Sequence, residues 1–207
     1  MYIENLKNDN CDDFEKIFSI IELDDLSFDD YKILLYHLTN HSNPIREAVA
    51  YKLENISNSF FDDEIADTLV KALTDINPNV ARSICSMMNN NPKIAVLLED
   101  KLILKINENL NDLGKEKFEN NKNHAKNKKL FSLYWLLEGL FYCRSKDRDD
   151  EIIKILYTTI KFSDYTIREK TAKILASLNN PPKELIDIVS KDENFYVNFY
   201  IKKTGLW

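Results

Sequence analysis

Apolar residues return along this chain at the spacing of one helix face, in pairs of stripes separated by short polar turns. Tyr31, Leu34, Leu35 and Leu38 fall at i, i+3, i+4 and i+7. The turn Asn40-His41-Ser42-Asn43-Pro44 follows, and Ile45, Val49, Leu53 and Ile56 form a second stripe. Ile65, Leu69 and Leu73 lead through Asp75-Ile76-Asn77-Pro78 into Val80, Ile84 and Met87 or Met88. Ile152, Leu156 and Ile160 lead through Ser163-Asp164-Tyr165 into Ile167, Thr171, Ile174 and Leu178. The first two pairs are in register at 35 residues, from Ile45 to Val80, a period suited to helical repeats. The connectors repeat as well: Asn89-Asn90-Asn91-Pro92-Lys93 resembles Asn179-Asn180-Pro181-Pro182-Lys183. Asn tolerates the left-handed geometry that ends a helix and Pro suits the first turn of the next. Each helix pair has an apolar face that it cannot bury alone, so stacking of neighbours is expected to build the core.

Between these regions, Ile94, Leu97, Leu98, Leu102, Ile106 and Leu110 predict one long helix or a bent pair. Residues 114–129 carry 6 Lys, 4 Asn and 2 Glu, the composition of a solvated loop or a frayed helix. Leu130 to Cys143 predicts a helix buried on most faces. Phe14, Ile17, Phe18 and Ile21 share one face of an acidic segment expected to cap the N-terminal end.

The turns resemble those of HEAT repeats, in which an Asp or Asn turn, often with Pro, precedes Val/Ile-Arg and a small residue four positions on. Ser42-Asn43-Pro44-Ile45-Arg46 with Ala50 and Ser163-Asp164-Tyr165-Thr166-Ile167-Arg168 with Ala172 match this pattern. Asn77-Pro78-Asn79-Val80 has Ala81 in place of Arg, and Asp192-Glu193-Asn194-Phe195-Tyr196 lacks the Arg. The resemblance covers roughly residues 28–90 and 149–203. It implies an all-α fold, a right-handed α-solenoid of about four to five HEAT-like helix pairs. The expected layout is one repeat domain over 1–207. It has an acidic cap at 1–30, repeats at 31–90, an elaborated repeat at 92–148 with a Lys/Asn-rich insertion at 114–129, and C-terminal repeats with a cap at 149–207.

Composition narrows the functional classes. Apolar residues make up 44% and charged residues 30% of the chain, with 3 Gly and 5 Pro, which fits a folded helical protein and leaves few residues for sheet turns. Net charge is −6, and residues 1–30 hold 10 Asp/Glu against Lys7 and Lys16, a net of −8. That balance argues against nucleic acid as a partner, because phosphate neutralisation drives such binding. Cys11, Cys85 and Cys143 are too widely spaced for a zinc site or a disulfide framework and fit a reducing compartment. The beginning of the chain lacks the pattern of a signal peptide, and the Leu130–Cys143 run is shorter than the ~18–20 residues a bilayer span needs. The expectation is a cytoplasmic protein with no membrane partner.

No constellation of catalytic residues stands out, and the chain is expected not to be an enzyme and to carry no cofactor or metal. Gly114, Gly139 and Gly205 are too far apart for a phosphate loop. His37 and His41 have helical i, i+4 spacing but no third ligand nearby. The acidic pairs Asp24-Asp25, Asp29-Asp30, Asp62-Asp63 and Asp149-Asp150 precede apolar stripes and read as helix caps. Arg46 and Arg168 are expected to pair with a turn Asp or a carbonyl of a neighbouring repeat, with Asp164 four residues before Arg168. Trp135 reads as core. The aromatic group Phe195, Tyr196, Phe199, Tyr200 and Trp207 reads as core or interface, with the tail 203–207 as a possible cover.

The leading functional expectation is a scaffold that binds another protein. In HEAT arrays the second helix of each pair lines a concave face, so the resemblance implies a partner-binding surface of Glu47, Tyr51, Glu54, Arg82, Ser86, Glu169 and Lys173. One alternative is a HEAT-like alkylpurine DNA glycosylase, for which Trp135, Asp164 and Arg168 are the residues to nominate, or another nucleic-acid-binding solenoid. Another is an accessory subunit in enzyme maturation, as in HEAT-like bilin lyases.

Overall fold

A computed structural model describes residues 2–24, 26–54, 61–115, 123–145 and 148–205. Among the described residues there is no β-strand. Two compact units are present, residues 1–98 and residues 99–207. Ile56, Asp25, residues 116–122 of the insertion, and Leu206 and Trp207 lie outside the described residues.

The first unit contains α1 (Tyr2–Lys7), α2 (Asp13–Glu22), α3 (Phe28–Tyr36), a 3₁₀ turn (His37–Thr39), α4 (Asn43–Leu53), α5 (Asp63–Ala72), α6 (Pro78–Asn90) and α7 (Pro92–Leu97). The first helices α1, α3 and α5 pack in sequence, and so do the second helices α2, α4 and α6. Residues 1–30 are therefore more than an end piece: α1 and α2 form a full pair in the stack. The expected stripes are the buried ones, with Leu34, Ile45, Val49, Leu53, Ile65, Leu69, Val80 and Ile84 at 0–1% exposure.

The second unit contains α8 (Glu99–Lys115), α9 (Asn123–Cys143), α10 (Asp149–Thr159), α11 (Tyr165–Leu175), α12 (Lys183–Ser190) and α13 (Phe195–Thr204). Again the second helices α9, α11 and α13 pack side by side, while α8 packs on α9 and α10. The apolar series from Ile94 to Leu110 is two helices, α7 and α8, parted at Leu98. Residues 123–129, expected as loop or frayed helix, belong to the first turns of α9, and Lys129 reaches Asp112 of α8 at 3.5 Å. Leu133, Leu136, Leu137, Leu140 and Cys143 bury α9 on several sides, as a nearly continuous apolar run requires.

Side-chain caps start α2, α3, α5, α6, α11 and α13. Asp12 with Glu15 and Ser27 with Asp30 form reciprocal capping boxes, and the Asp62 side chain accepts from the Ile65 N–H at 2.8 Å. Asp149 and Asp150 occupy the first turn of α10, where the helix dipole favours acids. Of the residues expected at the acidic pairs, Asp24 instead lies 3.6 Å from Lys52.

The N-terminal face departs from expectation. On α2 the buried side is Lys16, Ser19 and Ile20. Of the expected face Phe14, Ile17, Phe18 and Ile21, Ile17 is half-buried, while Phe14, Phe18 and Ile21 stand 78%, 49% and 56% exposed. Periodicity identifies a stripe but not what covers it; among the described residues, α2 packs chiefly against α1 and α4.

Candidate functional site

The turns between helices are closed by a repeated side-chain link. Arg46 sits in the first turn of α4 and Arg168 at the same place in α11. Arg46 donates Nε to Asp75 Oδ2 at 2.6 Å and Nη2 to Asp75 Oδ1 at 3.0 Å. Its Nη1 donates back to the carbonyls of Asn40 and His41, at 2.8 and 3.2 Å, and Nη2 also donates to Asn43 Oδ1. Arg168 repeats the set, with Nε to Asp192 Oδ2 at 2.7 Å, Nη2 to Asp192 Oδ1 at 3.2 Å, and Nη1 to the Phe162 and Ser163 carbonyls at 2.9 Å. The partner is thus the Asp of the following turn, 29 or 24 residues on, and not Asp164. Asp164 instead accepts from the Thr166 N–H at 2.9 Å as the cap of α11. Asp75 and Asp192 are preset for this role by accepting from the N–H two residues later, of Asn77 at 2.7 Å and Asn194 at 2.9 Å. Asn198 takes the Arg position in α13, and its Nδ2 donates to the Asp192 carbonyl at 3.0 Å, the same six-residue reach that Arg46 and Arg168 make. With every N–H of Arg46 engaged, it has no donor left for a ligand. A cavity of about 290 Å³ lies beside it, lined by Leu38, Asn40, Thr68, Ala72 and Asp75 among others.

The expected partner-binding residues fall into two groups, one in each unit. In the first, Glu47 on α4 accepts from Asn77 Nδ2 at 3.0 Å and from Asn79 Nδ2 at 2.9 Å. Asn79 Oδ1 in turn accepts from Arg82 Nη1 at 3.0 Å. A single row, Glu47–Asn79–Arg82, therefore runs from α4 to α6. Tyr51, one turn after Glu47, is 65% exposed. Arg82 is exposed, while Glu54 and Ser86 are half-buried.

In the second unit Glu169 and Lys173 on α11 belong to a cluster that the sequence did not point to, because its centre is Glu138, within the apolar run of α9. Lys173 Nζ lies 2.6 Å from Glu138 Oε1 and Lys170 Nζ lies 3.2 Å from Oε2. The Tyr142 hydroxyl donates to Glu138 Oε1 at 3.1 Å, and the Tyr200 hydroxyl of α13 donates to Glu169 Oε1 at 3.3 Å. Lys170 Nζ sits 4.5 Å from the Tyr134 ring centre and Lys173 Nζ 4.1 Å from that of Phe141, both within cation–π range. Burial pushes the Glu138 carboxyl up, but Lys170 and Lys173 outweigh it and hold the group below its ordinary value. Burial pulls Lys170 down, and Glu138 more than reverses this, leaving the ammonium well above its ordinary value. Both groups stay charged through the neutral range, so neither is poised to pass a proton there.

The other singled-out residues lie apart from these groups. His37 is buried with Nε2 3.0 Å from the Leu6 carbonyl, and burial lowers its pKa. His41 and His124 are exposed, and the described residues hold no cluster of His, Cys, Asp or Glu able to bind a metal. Cys85 and Cys143 are buried, and Cys143 Sγ donates to the Leu140 carbonyl at 3.7 Å. Trp135 is 9% exposed, and its indole N–H has no hydrogen-bond partner among the described residues. Of the residues nominated with it, Arg168 is committed to its turn link with Asp192 and Asp164 to capping α11. The C-terminal aromatics Phe195, Tyr196 and Phe199 are exposed. Of the tail expected as a cover, Lys203 and Thr204 continue α13, which ends at Gly205 in the left-handed region (φ 69°), and Leu206 and Trp207 lie outside the described residues.

No helix among the described residues is long and apolar enough to cross a membrane. No protein-family model matches the chain, and no curated protein matches it. Among solved structures the chain is similar to a designed armadillo-repeat protein, at 11% identity over 98% of this chain and 96% of that one, with a TM-score of 0.51. An engineered protein also aligns, at 13% identity over 98% and 94% of the two chains, with a TM-score of 0.44. The first likeness, with the ordered stacking of like helices in each unit, gives the fold as an all-α helical-repeat solenoid.

Proposed function

We propose that this protein is a non-enzymatic scaffold of the HEAT type, working in the cytoplasm, whose second helices dock another protein. The observation that carries this reading is the solvent side of α4 and α6. There Tyr51 stands exposed beside the hydrogen-bonded row Glu47–Asn79–Arg82. Tyr and Arg are the side chains that most often anchor protein interfaces. Holding an Arg in place before the partner arrives lowers the ordering cost of binding. On the second helices of the other unit, Glu169, Lys173 and Tyr200 are half-buried and held by hydrogen bonds and ion pairs. The acidic balance of the chain argues for a protein rather than a nucleic acid as the occupant.

The test is quantitative affinity capture from native lysate with the wild-type chain, the double variant Tyr51→Ala/Arg82→Glu, and a control, Lys71→Glu, on the first-helix side. The expected result is a protein enriched by wild type and control and lost with the double variant, while all three melt alike. Equal recovery by the double variant, or no protein enriched over an unrelated solenoid, would reject the surface.

A further inference from the structure

Each unit carries an exposed aromatic stripe on a second helix, one near each end of the chain, and the two stripes differ in chemistry. At the N-terminal end, α2 turns Phe14, Phe18 and Ile21 to solvent, with Tyr2 edge-on to Phe18 at 6.1 Å. Spacing of i, i+4 and i+7 makes them one continuous stripe on the side opposite Lys16, Ser19 and Ile20, which face the fold. Exposed Glu15 and Glu22 flank the stripe, and the one lysine of α2, Lys16, is buried. At the C-terminal end, α13 turns Phe195, Tyr196 and Phe199 to solvent, opposite its buried Val197, Asn198 and Ile201. Here the flanking charges are Lys202 and Lys203, with Lys203 Nζ 5.8 Å from the Phe199 ring centre, and α13 contains no acidic residue.

Contiguous exposed apolar stripes rimmed by charge are the kind of surface that marks an interface. The charges say which surfaces can meet. Two α2 stripes would bring four glutamates together, and two α13 stripes four lysines. An α2 stripe against an α13 stripe pairs Glu15 and Glu22 with Lys202 and Lys203. Side-by-side packing of second helices is also the contact that already joins α2 to α4 and α11 to α13. A second copy laying its α2 along α13 would continue that series.

We infer that the protein associates with copies of itself head to tail, the Phe14–Phe18–Ile21 stripe of one chain covering the Phe195–Tyr196–Phe199 stripe of the next. The contact is heterologous, so every assembly, whatever its length, keeps one free stripe of each kind and grows with concentration. This inference goes beyond the scaffold reading and does not depend on the second-helix surface around Tyr51.

The experiment is sedimentation velocity on the full chain, up to about 0.5 mM, at which even a contact with a Kd near 1 mM is visible. The wild-type average mass is expected to rise steadily above one chain, and about 0.5 M salt should shift the rise to higher concentration, since the flanking ion pairs are solvent-screened. Phe18→Glu and Phe199→Glu should each stay at one chain, and an equimolar mixture of the two should reach two chains and stop, because each variant retains the end the other has lost. Should either substitution disturb folding, checked by circular dichroism, a charge exchange replaces it. Glu22→Lys should weaken association, and so should Lys202→Glu/Lys203→Glu, while the two together on one chain should restore it. A single-chain mass at every concentration would overturn the inference, as it would if residues 206–207 or another protein covered the stripe. Association that survives Phe199→Glu or Phe18→Glu unchanged, or a mixture that stays at one chain, would overturn it as well.

Discussion

The two units close their turns with the same arginine link, yet they join their second helices by different means. Between α4 and α6 the join is made by two asparagine amides on the Glu47 carboxylate. Between α9 and α11 it is a mostly buried ion cluster, with Glu138 receiving Lys170 and Lys173. Amides cost little to bury when their hydrogen bonds are made. Charges cost several kcal/mol each to remove from water, and the cost is returned only while every partner is in place. The second unit is therefore expected to be stiff against neutral perturbation and fragile to the loss of one charge.

The largest effect is expected from breaking that cluster. Glu138→Ala leaves two poorly solvated ammonium groups facing one another and should cost about 3–5 kcal/mol in denaturant unfolding. Glu47→Ala, the matching change in the first unit, should cost about 1–2 kcal/mol. Equal losses would remove the distinction drawn between the units. Next come the turn links. Arg46→Ala should cost about 2–3 kcal/mol. Arg168→Ala should cost less, because Arg168 is 20% exposed in its side chain against 10% for Arg46. Asn198→Ala removes a single bond to the Asp192 carbonyl and should cost about 1 kcal/mol.

The smallest effects are those of pH, and they separate the units by where they begin. His37 is held below its ordinary value by burial, so its protonation favours the unfolded chain. The stability it contributes should decline as pH falls from about 6.5, the unfolded value, toward the lower folded one. Glu138 and Asp192 are carboxylates held below their ordinary values. Their contribution is complete above the ordinary carboxylate range and is lost only as pH falls through it and the lower folded values. Hydrogen exchange followed by peptide should therefore show the first unit loosening between pH 6.5 and 5.5 while the second holds. His37→Gln, which can keep a donor toward the Leu6 carbonyl, should abolish that early loss.

Much of this architecture is legible in the chain because the stripes around Ile45, Val80 and Ile167 repeat at helical spacing, and each proves to be buried. The turn arginines are legible too, as Val/Ile-Arg after a polar turn. Their acceptors are not, because a partner 24 or 29 residues on is indistinguishable in sequence from the nearer Asp164. Glu138 escapes notice for a related reason. A helix that is apolar on several sides has weak periodicity, so one acidic residue within it reads as incidental until the lysines of α11 are seen to converge on it. The stripe of α2 fails in the opposite way, since Phe14, Phe18 and Ile21 have the pattern of a covered face and lie open. Of the seven residues expected to receive a partner, Glu47 and Arg82 meet through Asn79. Glu169 and Lys173 belong to one cluster, joined through Lys170 and Glu138.

One guanidinium serving two turns has a consequence for how the chain comes apart. When α5 and the turn after it open, Arg46 loses its carboxylate, and the loop at Asn40 and His41 is then held by a cation whose charge has become a burden. Local opening should therefore spread from one hairpin to the hairpin before it instead of stopping at a boundary. A protease that catches the chain at one turn is expected to leave few long-lived fragments ending between α3 and α6.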